Sequence, residues 1–168
     1  MQRLTYIAAR LLFSAACLSA APAFADSTVV GSWRLLSMTY RNEAAGQEVA
    51  PWGAHPIGVI TYSADGRMSA VLAAEGRTAS GAGVNQAPVD EQARLFRSSF
   101  GYAGSYTLES DGVVVHHVEV CTDPTWVGSD QRRFFKIEGN RLIITTAPLR
   151  TVSDETARVL TLIWERVE

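Results

Sequence analysis

Apolar residues recur at every second position along most of the chain. From Val29 to Tyr40 the alternation sets Trp33, Leu35, Ser37 and Thr39 on one face and Arg34, Leu36, Met38 and Tyr40 on the other, the period of a β-strand. The polar stretch Arg41 to Glu48 ends that run. Ile57 to Tyr62 and Met68 to Leu72 then flank Ser63-Ala64-Asp65-Gly66. An Asp-Gly step between two such runs predicts a hairpin, because glycine accepts the positive φ that the turn requires. Pro88 to Phe100 breaks the period of two. Val89, Ala93, Phe96 and Phe100 recur at helical spacing, Asp90 and Glu91 stand in the first turn, and Gly101 and Gly104 follow, which predicts one amphipathic helix. Strand signals resume at Ser105 to Leu108 and turn at Asp111-Gly112. They continue through Val113 to Val120, Gln131 to Ile137, Leu142 to Thr146 and Arg158 to Val167.

About eight strands joined mainly by short turns, with a single helix, predict an all-β fold. A closed antiparallel β-barrel is favoured over a two-sheet sandwich, since closure removes unpaired strand edges.

The first residues fall outside this pattern. Arg3 and Arg10 accompany an apolar stretch from Ile7 to Ala20, Pro22 breaks it, and Ala23-Phe24-Ala25 offers small residues at the positions a signal peptidase reads. This predicts a signal peptide over 1–25, cleavage after Ala25, a barrel domain over 26–168, and a periplasmic or secreted protein. The alternative, a lipid anchor on Cys17 behind Ser14-Ala15-Ala16, lacks the large aliphatic residue usual where Ser14 stands. The apolar stretch is too short to span a bilayer, so no integral membrane contact is expected. Cleavage leaves 13 basic against 17 acidic residues and no basic cluster, which argues against nucleic acid as a partner. It also leaves Cys121 as the single cysteine, with no internal disulfide available. Cys121 then reads as a small buried hydrophobe, a thiol able to pair between chains, or a nucleophile.

Several segments together resemble the lipocalin-like domain family of small bacterial and fungal proteins. They are Gly31-Ser32-Trp33-Arg34-Leu35, Pro56-Ile57-Gly58-Val59-Ile60-Thr61-Tyr62 with Gly66-Arg67-Met68-Ser69, and Tyr102-Ala103-Gly104-Ser105-Tyr106. Val115-His116-His117-Val118-Glu119-Val120, Pro124-Thr125-Trp126-Val127-Gly128, Gln131-Arg132-Arg133 and Trp164-Glu165-Arg166 complete the ordered set. The resemblance implies a lipocalin-type barrel with a chamber suited to a small apolar molecule. It also implies that Trp33 closes one end of the barrel and stacks under Arg166. Related barrels have acquired isomerase or cyclase chemistry, so fold alone does not assign an activity.

Strand phase selects candidates for the chamber wall. Val114, His116, Val118 and Val120 form the more apolar set and are expected inside, with His117 outside. On the next strand Arg132, Phe134, Lys136 and Glu138 carry the charge and are expected outside, which turns Gln131 and Arg133 inward beside His116. A buried guanidinium needs a partner, a water cluster or an anionic ligand group. Three readings follow: a structural polar network of His116, Gln131 and Arg133; a group that orients a ligand's carboxylate, carbonyl or hydroxyl; or general acid–base use of His116. Tyr62, Met68 and Trp126 are further expected at the chamber mouth. Adjacent strand histidines point to opposite faces, so His116 and His117 with His55 make no zinc site, and no metal is expected. No phosphate loop, Gly-x-Ser-x-Gly or Cys-x-x-Cys is present, and no cofactor is expected.

These observations predict an exported protein that holds a small, largely apolar ligand with one polar end. The alternatives are a cofactor-independent isomerase, cyclase or lyase using the same chamber, and an interaction module with a filled barrel. The first needs an internal void of roughly 300 Å³ or more. An inward His–Arg pair at a chamber wall open to solvent would favour the second, and a solid core with an exposed apolar patch the third.

Overall fold

The computed structural model describes residues 28–42, 46, 48–81, 83–110, 112–151 and 154–167. The expected signal peptide, its cleavage site and Cys17 lie outside them. Among the described residues the chain forms ten strands and one α-helix: β1 (Gly31–Asn42), β2 (Glu48–Val49), β3 (Ile57–Tyr62), β4 (Arg67–Ala73), α1 (Val89–Arg97), β5 (Ser99–Ser110), β6 (Val113–Cys121), β7 (Asp130–Glu138), β8 (Arg141–Thr146), β9 (Leu149–Thr151) and β10 (Asp154–Arg166). Every strand pairing is antiparallel. The sheet runs β1-β3-β4-β5-β6-β7-β8-β10, and β10 pairs back onto β1, closing an eight-stranded barrel. Short β2 and β9 extend β1 and β10 at their edges. The expected closed barrel with one helix is the observed fold, and no sandwich forms.

The inner phases of the strands build the core. Trp33 and Leu35 on β1, Ile60 and Tyr62 on β3, and Met68, Ala70 and Leu72 on β4 pack with Val114, Leu142, Ile144, Leu162 and Trp164 from β6, β8 and β10. The hairpin between β3 and β4 turns where Asp65-Gly66 predicts it. Gly66 has φ +83° there and donates its N–H to the Ser63 carbonyl. On β7 the alternation holds throughout: Arg132, Phe134, Lys136 and Glu138 are exposed, and Arg133 is buried.

Two of the β-bulges bear on the chamber, and the simple period of two fails at both. On β1, Leu35 pairs with Trp164 but Ser37 already pairs with Ile163, so Leu36 is the extra residue. Met38 therefore turns inward with Trp33 and Leu35, contrary to the unbroken alternation read from Val29 to Tyr40. On the β5–β6 ladder, Gly104 pairs with Val118 while Ala103 pairs with Val120, leaving Glu119 extra. Val120, expected inside, is consequently 61% exposed. Gly104 permits this bulge, because a Cβ there would stand 1.9 Å from the His117 carbonyl oxygen.

The helix is shorter than its periodicity suggests. It ends at Arg97, and Phe100, expected on its apolar face, lies in β5 paired with Leu72. Strand pairing to β4 and packing of the Phe100 ring against Trp126 outweigh one further helical turn. β5 thus begins at Ser99, well before the Ser105 expected from alternation.

Candidate functional site

A chamber of about 370 Å³ opens inside the barrel. Met38, Ile60, Ile144, Leu162 and Trp164 supply apolar wall; Tyr102, His116 and Arg133 supply its polar patch. Phe96 and Arg97 at the end of α1, with Asp123 and Trp126 of the β6–β7 connection, lie toward its mouth.

Three strands deliver the polar patch. His116 on β6 is 1% exposed, and both of its ring nitrogens are engaged. Its Nε2 lies 2.7 Å from the Tyr62 hydroxyl of β3, and its Nδ1 lies 2.8 Å from the Tyr102 hydroxyl of β5. Tyr62 reaches His116 because closure of the barrel turns the inner faces of β3 and β6 toward a common interior. Tyr102 reaches it because the unbroken phase of β5 turns Phe100, Tyr102 and Gly104 inward, beside the buried Leu72, Ala70 and Met68 of β4. Tyr102 is half-buried overall and lines the chamber beside His116. Burial is the main cause of the imidazole's lowered pKa of about 3, assisted by the charge of Arg133 and by His117. His116 is therefore neutral at physiological pH. Burial also pushes the Tyr102 hydroxyl up to about 12, against the opposing pull of Arg133, and raises Tyr62 well above its ordinary range.

Arg133 on β7 is 8% exposed. One terminal nitrogen donates to the Arg132 carbonyl at 3.0 Å and the other to Gln131 Oε1 at 3.1 Å. Its guanidinium carbon lies 5.7 Å from the centroid of a Trp126 ring. Among the described residues no carboxylate comes within 4.0 Å of it. Burial pulls its pKa below the usual value, the hydroxyls of Tyr102 and Tyr62 oppose that, and a guanidinium stays charged regardless. The Asp123 carboxylate accepts instead from the backbone N–H and hydroxyl of Thr125, at 3.0 and 2.7 Å.

The expected site residues are thus partly assembled. His116, Arg133 and Trp126 line the chamber. Gln131 pairs with His116 in the strand register, but its side chain contacts Arg133 and the Ser129 hydroxyl. The expected His116–Gln131–Arg133 network is replaced by two smaller ones. Tyr62 and Met68, expected at the mouth, are buried in the packed core and do not line the chamber; Tyr62 acts on it through His116. Tyr102 is not among the expected site residues, although the period of two on β5 places it on the inner face with Gly104. His117 lies outside as expected, in a ladder with Thr107 (3.0 Å) and Asp130 (2.7 Å) across β5, β6 and β7. Cys121 is half-buried and sits opposite Tyr102 in the register.

Trp33 and Arg166 face each other directly across β1 and β10 at the floor of the barrel. Among the described residues no group of three His, Cys, Asp or Glu side chains is placed to hold a metal ion, and no helix is long and apolar enough to cross a membrane.

A closed eight-stranded antiparallel barrel with a plugged floor and an internal chamber defines a class of small β-barrel domains built around a cavity. The family model of the lipocalin-like domain matches residues 30–167, and the chain belongs to that family. No curated protein matches the sequence.

Proposed function

We propose that this protein is an exported binding protein that holds a small, largely apolar molecule by an anionic or carbonyl end. The observation that carries the reading is Arg133: a buried guanidinium at the chamber wall with no carboxylate of the described residues beside it. Leaving such a charge uncompensated is costly, and a ligand acceptor supplies the missing partner. The chamber volume lies within the range of small-molecule sites, and its remaining wall is mostly apolar. Export rests on Ala23-Phe24-Ala25 behind the short apolar stretch.

An isomerase, cyclase or lyase is the second reading, favoured by His116 and Arg133 sharing one chamber wall. Against it, an imidazole pushed down to about 3 is a poor general base at neutral pH, and a tyrosine pushed up to about 12 is a poor acid. Binding is the stronger reading.

Native mass spectrometry of protein recovered from its own periplasm or culture medium tests it. The expected spectrum shows a mature chain beginning at Asp26 with a small apolar acid or carbonyl compound retained. A chain carrying lipid on Cys17 overturns cleavage after Ala25 and places the protein on a membrane. A chamber that retains nothing and takes up no apolar acid on titration overturns the binding reading.

A further inference from the structure

The arrangement around His116 fixes more than a polar patch. Its two tyrosine partners carry one hydroxyl proton each, and a neutral imidazole carries one N–H. Two hydrogen bonds join the three groups, Tyr62 to Nε2 and Tyr102 to Nδ1. Each bond uses one proton, so three protons serve two bonds and one is left over. That surplus proton emerges at one end of the chain or the other.

The two ends are unlike. Tyr62 is 1% exposed and does not line the chamber. Among the described residues its hydroxyl has His116 as its one hydrogen-bond partner. A surplus proton there is a buried donor with no acceptor, which bears its full desolvation cost. Tyr102 lines the chamber, where a ligand atom or water can accept. The favourable order therefore runs from Tyr62 O–H to Nε2, from Nδ1–H to the Tyr102 oxygen, and from Tyr102 O–H into the chamber.

We propose that the Tyr62–His116–Tyr102 chain is a polarity-setting device that makes Tyr102 a hydrogen-bond donor toward the ligand, so that with Arg133 it selects an acceptor-only head group, a carboxylate or ketone. This deepens the binding reading above and rests on it. Arg133 alone supplies charge. The chain adds a neutral donor whose direction is set by a sealed tyrosine outside the chamber. The raised pKa of Tyr102 agrees with this role, since the hydroxyl keeps its proton and donates without transferring it. Arg133 and Tyr102 line the same chamber, so one head group meets both. A head group accepting from Tyr102 and Arg133 together is hydrogen-bonded without contributing a proton of its own. An alkylammonium finds donors and a positive charge there and is rejected.

The test pairs nitrogen NMR with ligand titration on the mature protein. The ¹⁵N spectrum is expected to show His116 Nδ1 protonated and Nε2 unprotonated. Decanoate and decan-2-one are expected to bind and decylammonium to be excluded. Tyr102→Phe is expected to weaken decanoate about tenfold and the ketone severalfold. Tyr62→Phe removes the anchor without touching the chamber, and is expected to give a mixed His116 tautomer signal with weaker decanoate binding. A wild-type protein with Nε2 protonated overturns the proposal even if decanoate binds, and leaves the binding reading standing. Nδ1 protonated with no uptake of either acceptor probe overturns the binding reading and the selection that rests on it. The wild-type spectrum is decisive even where a variant fails to fold.

Discussion

The guanidinium of Arg166 lies over the indole of Trp33, its central carbon 4.1 Å from a ring centroid. Its terminal nitrogens are fixed by the carbonyls of Val30 at 2.8 Å and Thr28 at 2.9 Å. The Trp33 N–H in turn donates to the Val29 carbonyl at 2.8 Å. One cation therefore ties the last strand to the segment entering the first, over a ring that is wholly buried.

Truncating that ring is expected to be severe. Trp33→Ala should lower stability by about 3–5 kcal/mol, the usual cost of removing a fully buried large aromatic. The cation–π share is about 1 kcal/mol. Chemical denaturation measures it; a midpoint indistinguishable from wild type would show that the floor is not built around this ring.

Gly104→Ala should also destabilise, by about 1–3 kcal/mol, as an overpacked position whose neighbour is backbone. The added methyl would meet the His117 carbonyl oxygen at 1.9 Å, so the bulge must shift. Because Gly104 lies two residues from Tyr102 on the same face of β5, a shift there displaces Tyr102, and ligand affinity should fall with stability. Titration and melting on the same variant check both.

Stability should decline with acid before the carboxylates titrate. Folded His116 stays neutral down to about 3, whereas the unfolded imidazole protonates through its ordinary value of 6.5. Between those values the unfolded state binds the extra proton, so stability falls as pH drops, by up to about 1.4 kcal/mol per unit. Glu91, Glu119, Asp123 and Glu138 are held low by their partners, and the loss they add comes below their ordinary values of 4.5 and 3.8. The window from pH 6.5 to 4.5 therefore isolates the histidine. His116→Gln should flatten the slope there by about 1 kcal/mol per unit. An unchanged slope would mean that His116 titrates normally in the folded protein.

Arg133→Leu should leave the fold intact or firmer, while weakening a carboxylate ligand tenfold or more, about 1.5–3 kcal/mol. Its lost contacts are the Arg132 carbonyl and Gln131 Oε1; the hydrogen bonds of His116 run to tyrosines and survive. Melting and decanoate titration on one sample decide between roles. Lost stability with unchanged affinity would make Arg133 structural.

The barrel, its hairpin turn at Gly66 and the inward placing of His116 and Arg133 were legible because burial imposes a period of two on each strand. The charged outer face of β7 was legible for the same reason. Val120 and Met38 were misplaced because a bulge inserts one residue without altering composition. Tyr102 lies just ahead of the second bulge, and nothing local marks that it meets His116. The Tyr62–His116 contact joins residues 54 positions apart across the barrel, and strand phase names the face of each without naming the partner.

The bulge at Leu36 divides β1 into two segments with separate duties. Before it, Trp33 and Leu35 belong to the plugged floor; after it, Met38 faces the chamber. The slack of one residue uncouples the two halves, so that altering the wall beyond Ser37 does not oblige the floor to re-register. Such a strand lets cargo preference drift while the foundation holds, and it marks the upper half of β1 as the place to begin re-tailoring the cavity for a different guest.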